Sequence, residues 1–223
     1  MKREYITTGD GSVTIHLPEW NEQYHSKHGA IVEAKHVFIK HGLQFWLENN
    51  PKESVSILEI GFGTGLNAFL TQIELSQTNI KIEYTGVEAY PIDLLEIERL
   101  NYPEMLNASQ SDFLRLHQTI WELPSEIDSN FNLLKRKQFF SEIKDIDTYT
   151  IIYFDAFGAR VQPELWTEAV FKNMFIALKP GGVLVTYSAK GSVRRAMQAV
   201  GFAVERLPGP PGKREMLRAV KGV

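Results

Sequence analysis

Cysteine is absent from all 223 residues. Disulfides, thiolate metal sites and cysteine nucleophiles are thereby removed together, and a reducing compartment is the natural setting. Long apolar runs are missing as well. No stretch approaches the roughly 20 residues needed to cross a bilayer, and the polar start MKREYITTGDG has no apolar signal core behind its basic residues. Histidine is sparse, six along the chain with no tight ligand pair, so no metal site is expected. Net charge is small, −3 at neutral pH, which argues against an indiscriminate nucleic-acid binder. Repeats and low-complexity tracts are absent. These gaps leave a soluble, cytoplasmic protein without metal or membrane attachment as the expectation.

What is present is a core. The chain is 43% hydrophobic, with 13 Phe, 8 Tyr and 4 Trp, enough to bury one sizeable interior as a single structural unit. Charge is uneven: residues 190–218 hold Lys190, Arg194, Arg195, Arg206, Lys213, Arg214 and Arg218 against only Glu205 and Glu215. Such a cluster suits a polyanionic partner, or it is a solvated basic face.

Residues 1–50 read as an N-terminal extension. EYITTGDGSVTIHL is a hairpin turning at Gly9-Asp10-Gly11, and AIVEAKHVFIKHGLQFWLEN places Ile31, Ala34, Val37, Phe38, Phe45 and Trp46 on roughly one helical face. From 51 to 223 strands and helices alternate. VSILEI is followed by helical GLNAFLTQIELSQ, KIEYTGVEA by a helix opened at Pro91, and a further helix has Ser111 as a plausible cap. FNLLKRK reads as a short strand and YTIIYFDAF as a central one; PELWTEAVFKNMFIAL reads as a helix stopped by Lys179-Pro180-Gly181-Gly182. The pattern predicts an α/β fold with a doubly wound, mostly parallel sheet. Its last two strands, FAVERL and EMLRAVK, are separated by a loop too short for a crossover helix and should pair antiparallel.

The chemistry is concentrated at ILEIGFGTGLN. A glycine-rich turn after the first strand of a doubly wound sheet is where a ligand meets the backbone. Gly61, Gly63 and Gly65 have G-x-G-x-G spacing; Leu66 stands where a dinucleotide fingerprint needs glycine, and the Gly-Lys-Ser/Thr of a phosphate loop is lacking. Glu88, at the end of the second strand, suits ribose hydroxyls or a helix start. Adenosine without pyrophosphate fits S-adenosylmethionine better than NAD.

With EIGFGTGLN, YFDAFGARVQPELWTEAVF, KPGGVLVTYSAKGSVRRAMQAVGF, GKREMLRA and EQYHSKHGAIVEAKHVFI in order, the chain resembles the class I S-adenosylmethionine-dependent methyltransferases. Within them it is similar to the methyltransferase half of the bifunctional bacterial enzyme that completes 5-methylaminomethyl-2-thiouridine at the tRNA wobble position. The resemblance implies a Rossmann-like fold, S-adenosylmethionine as cofactor, and methyl transfer to the amine of a 5-aminomethyl-(2-thio)uridine in the anticodon stem-loop of tRNA. It further implies a stand-alone enzyme without the flavin-dependent half, for which a monomer is expected. Gly61, Gly63, Gly65 and Asn67 match the cofactor loop, Glu88 the ribose-binding acid, and Asp155 the acid where cofactor and substrate amine meet. Tyr24, in a segment with His25 and His28, matches an active-site cover that touches the cofactor.

Many relatives place an acid against the adenine amine where this chain reads LLKRKQFFSEI. Gln138 offers a carbonyl there, and Phe139 or Phe140 could pack on the ring or belong to the core. Asp155 is expected to orient the amine by accepting an N–H bond rather than to act as base, because an ordinary carboxylate removes that proton poorly. Lys190, Arg194, Arg195, Lys213 and Arg214 are the candidate phosphate contacts. Two rivals stand beside this reading. Spermidine synthases share the fold and move an aminopropyl group to an amine, but polycationic substrates call for an acidic pocket. A non-catalytic RNA-binding subunit of the same fold would be expected to have lost its loop or its strand-end acids.

Overall fold

The computed structural model describes residues 2–51 and 54–222. Two sheets are present among the described residues. The smaller is antiparallel, built from β1 (Glu4–Thr7), β2 (Val13–Leu17) and β3 (Glu22–Gln23) in that order. Its turn does more than reverse the chain. Asp10 Oδ1 accepts from Thr8 Oγ1 at 2.8 Å and the Ser12 N–H at 3.0 Å, while its Oδ2 accepts the Val32 N–H at 2.9 Å. The hairpin thus supplies the N-terminal cap of the next helix, satisfying a donor that lacks a partner within the helix.

That helix, α1, runs from Ala30 to Asn49, with π-helical geometry over Lys35–Gln44 between α-helical ends Ala30–Ala34 and Phe45–Asn49. Ile31, Ala34, Val37, Phe38 and Trp46 are buried, and Phe45 is half-buried. At Gly42 the helix sits so close to the large sheet that a Cβ would stand 2.9 Å from a Val185 methyl carbon.

The large sheet has eight strands in the order β10-β11-β9-β8-β4-β5-β7-β6. These are β4 (Val55–Ile60), β5 (Ile82–Val87), β6 (Ser125–Asp128), β7 (Phe131–Arg136), β8 (Tyr149–Phe154), β9 (Leu178–Thr186), β10 (Ala203–Pro208) and β11 (Glu215–Val220). Strands β7, β5, β4, β8 and β9 are parallel, and β11 pairs antiparallel with both β9 and β10. This is the expected doubly wound sheet with its terminal hairpin. All six residues of β8 are buried, as a strand covered on both faces requires. Ile151 and Tyr153 join one core with α1 and α2 (Leu66–Leu75); Ile152 and Phe154 join the other with α6 (Glu168–Ala177) and α7 (Gly191–Ala199).

Three local readings are corrected and one strand is added. The helix expected to open at Pro91 is the single turn α3 (Leu94–Ile97), capped by Asp93, whose Oδ1 accepts the Leu95 N–H at 3.1 Å. After a short α4 (Tyr102–Met105), helix α5 (Gln110–Gln118) is capped by Ser109 rather than Ser111. Strand β6, which pairs antiparallel with β7, was not foreseen in the polar SEID stretch. Finally, α6 begins only at Glu168, behind a 3₁₀ turn at Pro163–Trp166, and ends at Ala177. Lys179-Pro180-Gly181-Gly182 then lies within β9: register jumps from Tyr149↔Leu178 to Ile151↔Val183, with Gly181 at φ +76°. Backbone bonds Gly181 N–H to Lys221 O and Lys221 N–H to Gly182 O hold this excursion against the chain's end.

Candidate active site

Strands β4, β5 and β8 end side by side, and their C-terminal residues open onto a cavity of about 1100 Å³. The turn after β4 forms its floor. Gly61 (φ +91°), Gly63 (φ +47°) and Gly65 (φ +71°) all adopt left-handed backbone that side-chain-bearing residues avoid. At Gly61 a Cβ would also stand 2.8 Å from the Asp155 carbonyl oxygen, and at Gly63 it would stand 3.2 Å from the Tyr24 ring. Gly61 and Gly63 line the cavity; Gly65 lies behind it, opposite His117, and starts α2.

Glu88 follows β5. It accepts the Gly63 N–H at 3.2 Å on one oxygen and the Tyr90 N–H at 2.9 Å on the other, so the carboxylate is oriented by backbone from both sides. Burial raises its pKa. Asp155 follows β8, and burial pushes its pKa up to about 7 despite the hydrogen bond that Asn67 donates. Asn67 gives its other N–H to Glu59, the penultimate residue of β4, which also accepts the Tyr84 hydroxyl at 2.9 Å. Burial raises the Glu59 carboxyl well above the usual range.

The N-terminal sheet supplies another wall. Tyr24 packs on Phe157 at 4.9 Å between ring centroids, and Arg160, in the loop after β8, donates to Asn21 O and Glu22 Oε2. His25 is enclosed by Thr14, Thr64 and Tyr102, and burial lowers its pKa to about 4, so it is neutral. Glu33 of α1 and Lys213 of the β10–β11 loop complete the enclosure as an ion pair at 2.5 Å, with the Lys213 ammonium 4.0 Å above the Tyr187 ring.

The structure thus brings Tyr24, Gly61, Gly63, Asn67, Glu88, Asp155 and Lys213 to one cavity. Gln138 is not in its wall; Phe139, 55% exposed, and Phe140 are. Lys190, Arg194, Arg195 and Arg214 lie outside the lining. Of the seven cations between 190 and 218, Arg206 pairs with Glu215, Arg218 with Glu205 and Lys213 with Glu33. Lys190, Arg194, Arg195 and Arg214 make no ion pair among the described residues. Sequence reasoning passed over Glu33 and Arg3, both in the wall. Neither carries a motif, and each reaches the cavity only through tertiary packing.

The family model for S-adenosyl-L-methionine-dependent methyltransferases matches residues 103–222. The chain belongs to this family. S-adenosyl-L-methionine is therefore the methyltransferase's cofactor, and the cavity suits it. Glycine backbone without Cβ atoms permits close approach, Glu88 presents an oriented carboxylate, and the buried Asn67 Oδ1 has no hydrogen-bond partner among the described residues.

Its relatives include the tRNA 5-methylaminomethyl-2-thiouridine biosynthesis bifunctional protein MnmC of Leptospira borgpetersenii. The two are 31% identical over 213 residues, covering 89% of this chain and 32% of that protein. The methyltransferase spans about a third of the length of the curated relatives it matches. Among solved structures, MnmC2 from Aquifex aeolicus superposes with a TM-score of 0.79 at 22% identity, covering 98% of this chain and 69% of that one. A spermidine synthase superposes at 0.60 with 17% identity, covering 99% and 70%. Both share its fold.

Proposed function

We propose that this methyltransferase transfers a methyl group to the amine of 5-aminomethyl-(2-thio)uridine at the tRNA wobble position, giving 5-methylaminomethyl-(2-thio)uridine. The names of its curated relatives support that substrate. The observation that carries the chemistry is Asp155. It is a carboxylate at the cavity floor with one oxygen, Oδ2, held by Asn67 at 2.9 Å. The other oxygen is left to accept an N–H from an incoming amine, turning the nitrogen lone pair away from the carboxylate.

When bound, S-adenosyl-L-methionine supplies an electrophilic methyl group on a sulfonium leaving group. The backbone at Gly61 and Gly63 would hold its amino-acid end, Glu88 its ribose, and Phe139 its adenine, with Tyr24 closing over the loop. Gly65 serves the same end by shaping the turn, and Gln138 adds at most a polar flank. Asp155 has a second capability that an ordinary carboxylate lacks. With its pKa near 7, it takes the surplus proton of the reacting amine far more readily than a group titrating near 4. Orientation and proton acceptance then fall to one residue. Outside the cavity, Lys190, Arg194, Arg195 and Arg214 would bind phosphates of the anticodon stem-loop while the wobble base is splayed inward.

A second reading has an observation in its favour. Glu22, Glu33, Glu59, Glu88, Asp155 and Glu164 line the cavity against Arg3, Lys27 and Lys213, so the wall is acid-rich and a polyamine would be attracted to it. The basic C-terminal region therefore does not by itself argue against polyamine substrates.

The deciding experiment is transfer of labelled methyl to tRNA stalled at the 5-aminomethyl stage, read by nucleoside mass spectrometry beside Asp155→Ala and with spermidine and putrescine as competing acceptors. Formation of 5-methylaminomethyluridine that is lost in the variant supports the proposal. Label appearing only in polyamines would replace it with the second reading.

A further inference from the structure

Asn67 belongs to the glycine-loop motif, yet its amide nitrogen faces away from a pure cofactor role. Nδ2 lies 2.9 Å from Glu59 Oε1 and 2.9 Å from Asp155 Oδ2. An amide NH₂ has two hydrogens, and each carboxylate takes one. With Asp155 ionised, the reverse orientation would aim Oδ1 at an oxygen that can only accept, so that neighbour sets the amide orientation. Glu59 is itself immobilised. It is 1% exposed, and its second oxygen accepts the Tyr84 hydroxyl, in a side chain that is also 1% exposed. Helix α2, strand β5 and strand β4 thus converge through one amide on a single oxygen of Asp155.

We propose that Asn67 is a positioning residue that, braced by Glu59, fixes the rotamer of Asp155 and leaves its free oxygen turned to the substrate amine. The inference rests on Asp155 being the amine acceptor, as above, but it does not depend on tRNA being the substrate. Without the amide, Asp155 loses the hydrogen bond that favours its charged form, while burial and its neighbours stay. The groups facing it are Glu59 from β4, Tyr84 from β5, Glu33 from α1, Tyr102 from α4, Tyr187 after β9 and Lys213 from the β10–β11 loop. Of these only Lys213 is a cation, so nothing else in the shell replaces what Asn67 supplies.

The test uses Asn67→Ala and the uncharged, near-isosteric Asn67→Leu, which keeps the volume should the smaller side chain fail to fold. Carboxyl-selective NMR of the free protein follows Asp155, assigned by loss of its signal in Asp155→Asn. The expected result is a titration midpoint raised by about one pH unit or more in both variants, a tenfold or greater rise in proton affinity. The acid limb of kcat on the amine substrate should move with it. A midpoint that stays within about 0.3 pH unit of wild type overturns the proposal. So does a uniform fall in kcat with no movement of the pH profile, which would make Asn67 merely structural. The NMR arm needs no substrate, so failure of the tRNA reading and failure of this inference are distinguishable.

Discussion

Lys213 Nζ lies 2.5 Å from Glu33 Oε2, latching the loop between β10 and β11 to the first turn of α1 at the cavity wall. Glu33 is 7% exposed, and its other oxygen accepts the Ser26 N–H at 3.2 Å. A cation expected to serve phosphate is thus engaged inside the fold. Removing one partner of such a pair leaves the other charge desolvated, which costs more than the pair contributes. Because the lysine side chain keeps 31% of its surface in solvent, Lys213→Ala should destabilise by about 1–2 kcal/mol. Urea unfolding would measure this. The double variant Lys213→Met with Glu33→Gln should recover most of the loss.

The remaining cations should behave differently. Arg195 and Arg214 are exposed and make no ion pair among the described residues. Replacing either with alanine should leave stability within about 0.5 kcal/mol. Each should weaken tRNA binding and reduce the slope of log K against log salt by about one. Fluorescence anisotropy between low and physiological salt reads both quantities, and Lys213→Ala should alter the slope much less.

Gly63 tests the cofactor loop. Its φ of +47° and the Tyr24 ring 3.2 Å from a would-be Cβ mean that alanine brings backbone strain and displaces the ring. Gly63→Ala should cost about 1 kcal/mol of stability. Because Tyr24 and the loop line the cavity together, cofactor binding should fall by about tenfold or more. Calorimetry with S-adenosyl-L-methionine checks it, with thermal melting to separate the two losses.

The alternation of strands and helices, the terminal antiparallel pair and the carboxylates at strand ends were legible because periodicity marks the strands there. VSILEI and YTIIYF are predominantly apolar on both faces, as strands covered on both sides require. Helix starts were less legible. Ser109 and Ser111 are both good caps and lie 2.7 Å apart through their hydroxyls, and only the observed turn geometry selects Ser109. Lys179-Pro180-Gly181-Gly182 carries every signal of a helix stop, yet the helix has already ended at Ala177 and the glycines serve an excursion within β9. On the adenine side the sequence left Gln138, Phe139 and Phe140 as alternatives, and only the folded chain distinguishes them, with the two phenylalanines in the cavity wall and Gln138 outside it. The Glu59–Asn67–Asp155 chain was not legible at all. Its members are 8 and 88 residues apart, and the link exists only once α2 packs against the ends of β4 and β8.

Asp155 ties stability to pH with a definite sign. Its folded pKa of about 7 lies above the ordinary 3.8, so the folded state binds the proton more tightly than the unfolded chain. Stability from this residue is therefore undiminished below about pH 4, falls as pH rises toward 7, and stays reduced above it. Asp155→Asn removes the titrating group while keeping the shape. The variant should match wild type near pH 4 and exceed it by roughly 2–4 kcal/mol at pH 8, as urea unfolding at the two values would show. Methyl transfer should move the opposite way, falling by about two orders of magnitude as the acceptor for the amine is lost. In wild type the rate should rise with pH through a midpoint near 7 as Asp155 ionises. A variant that gains stability at pH 8 while losing turnover would identify Asp155 as a residue whose burial is kept for the reaction at the expense of the fold.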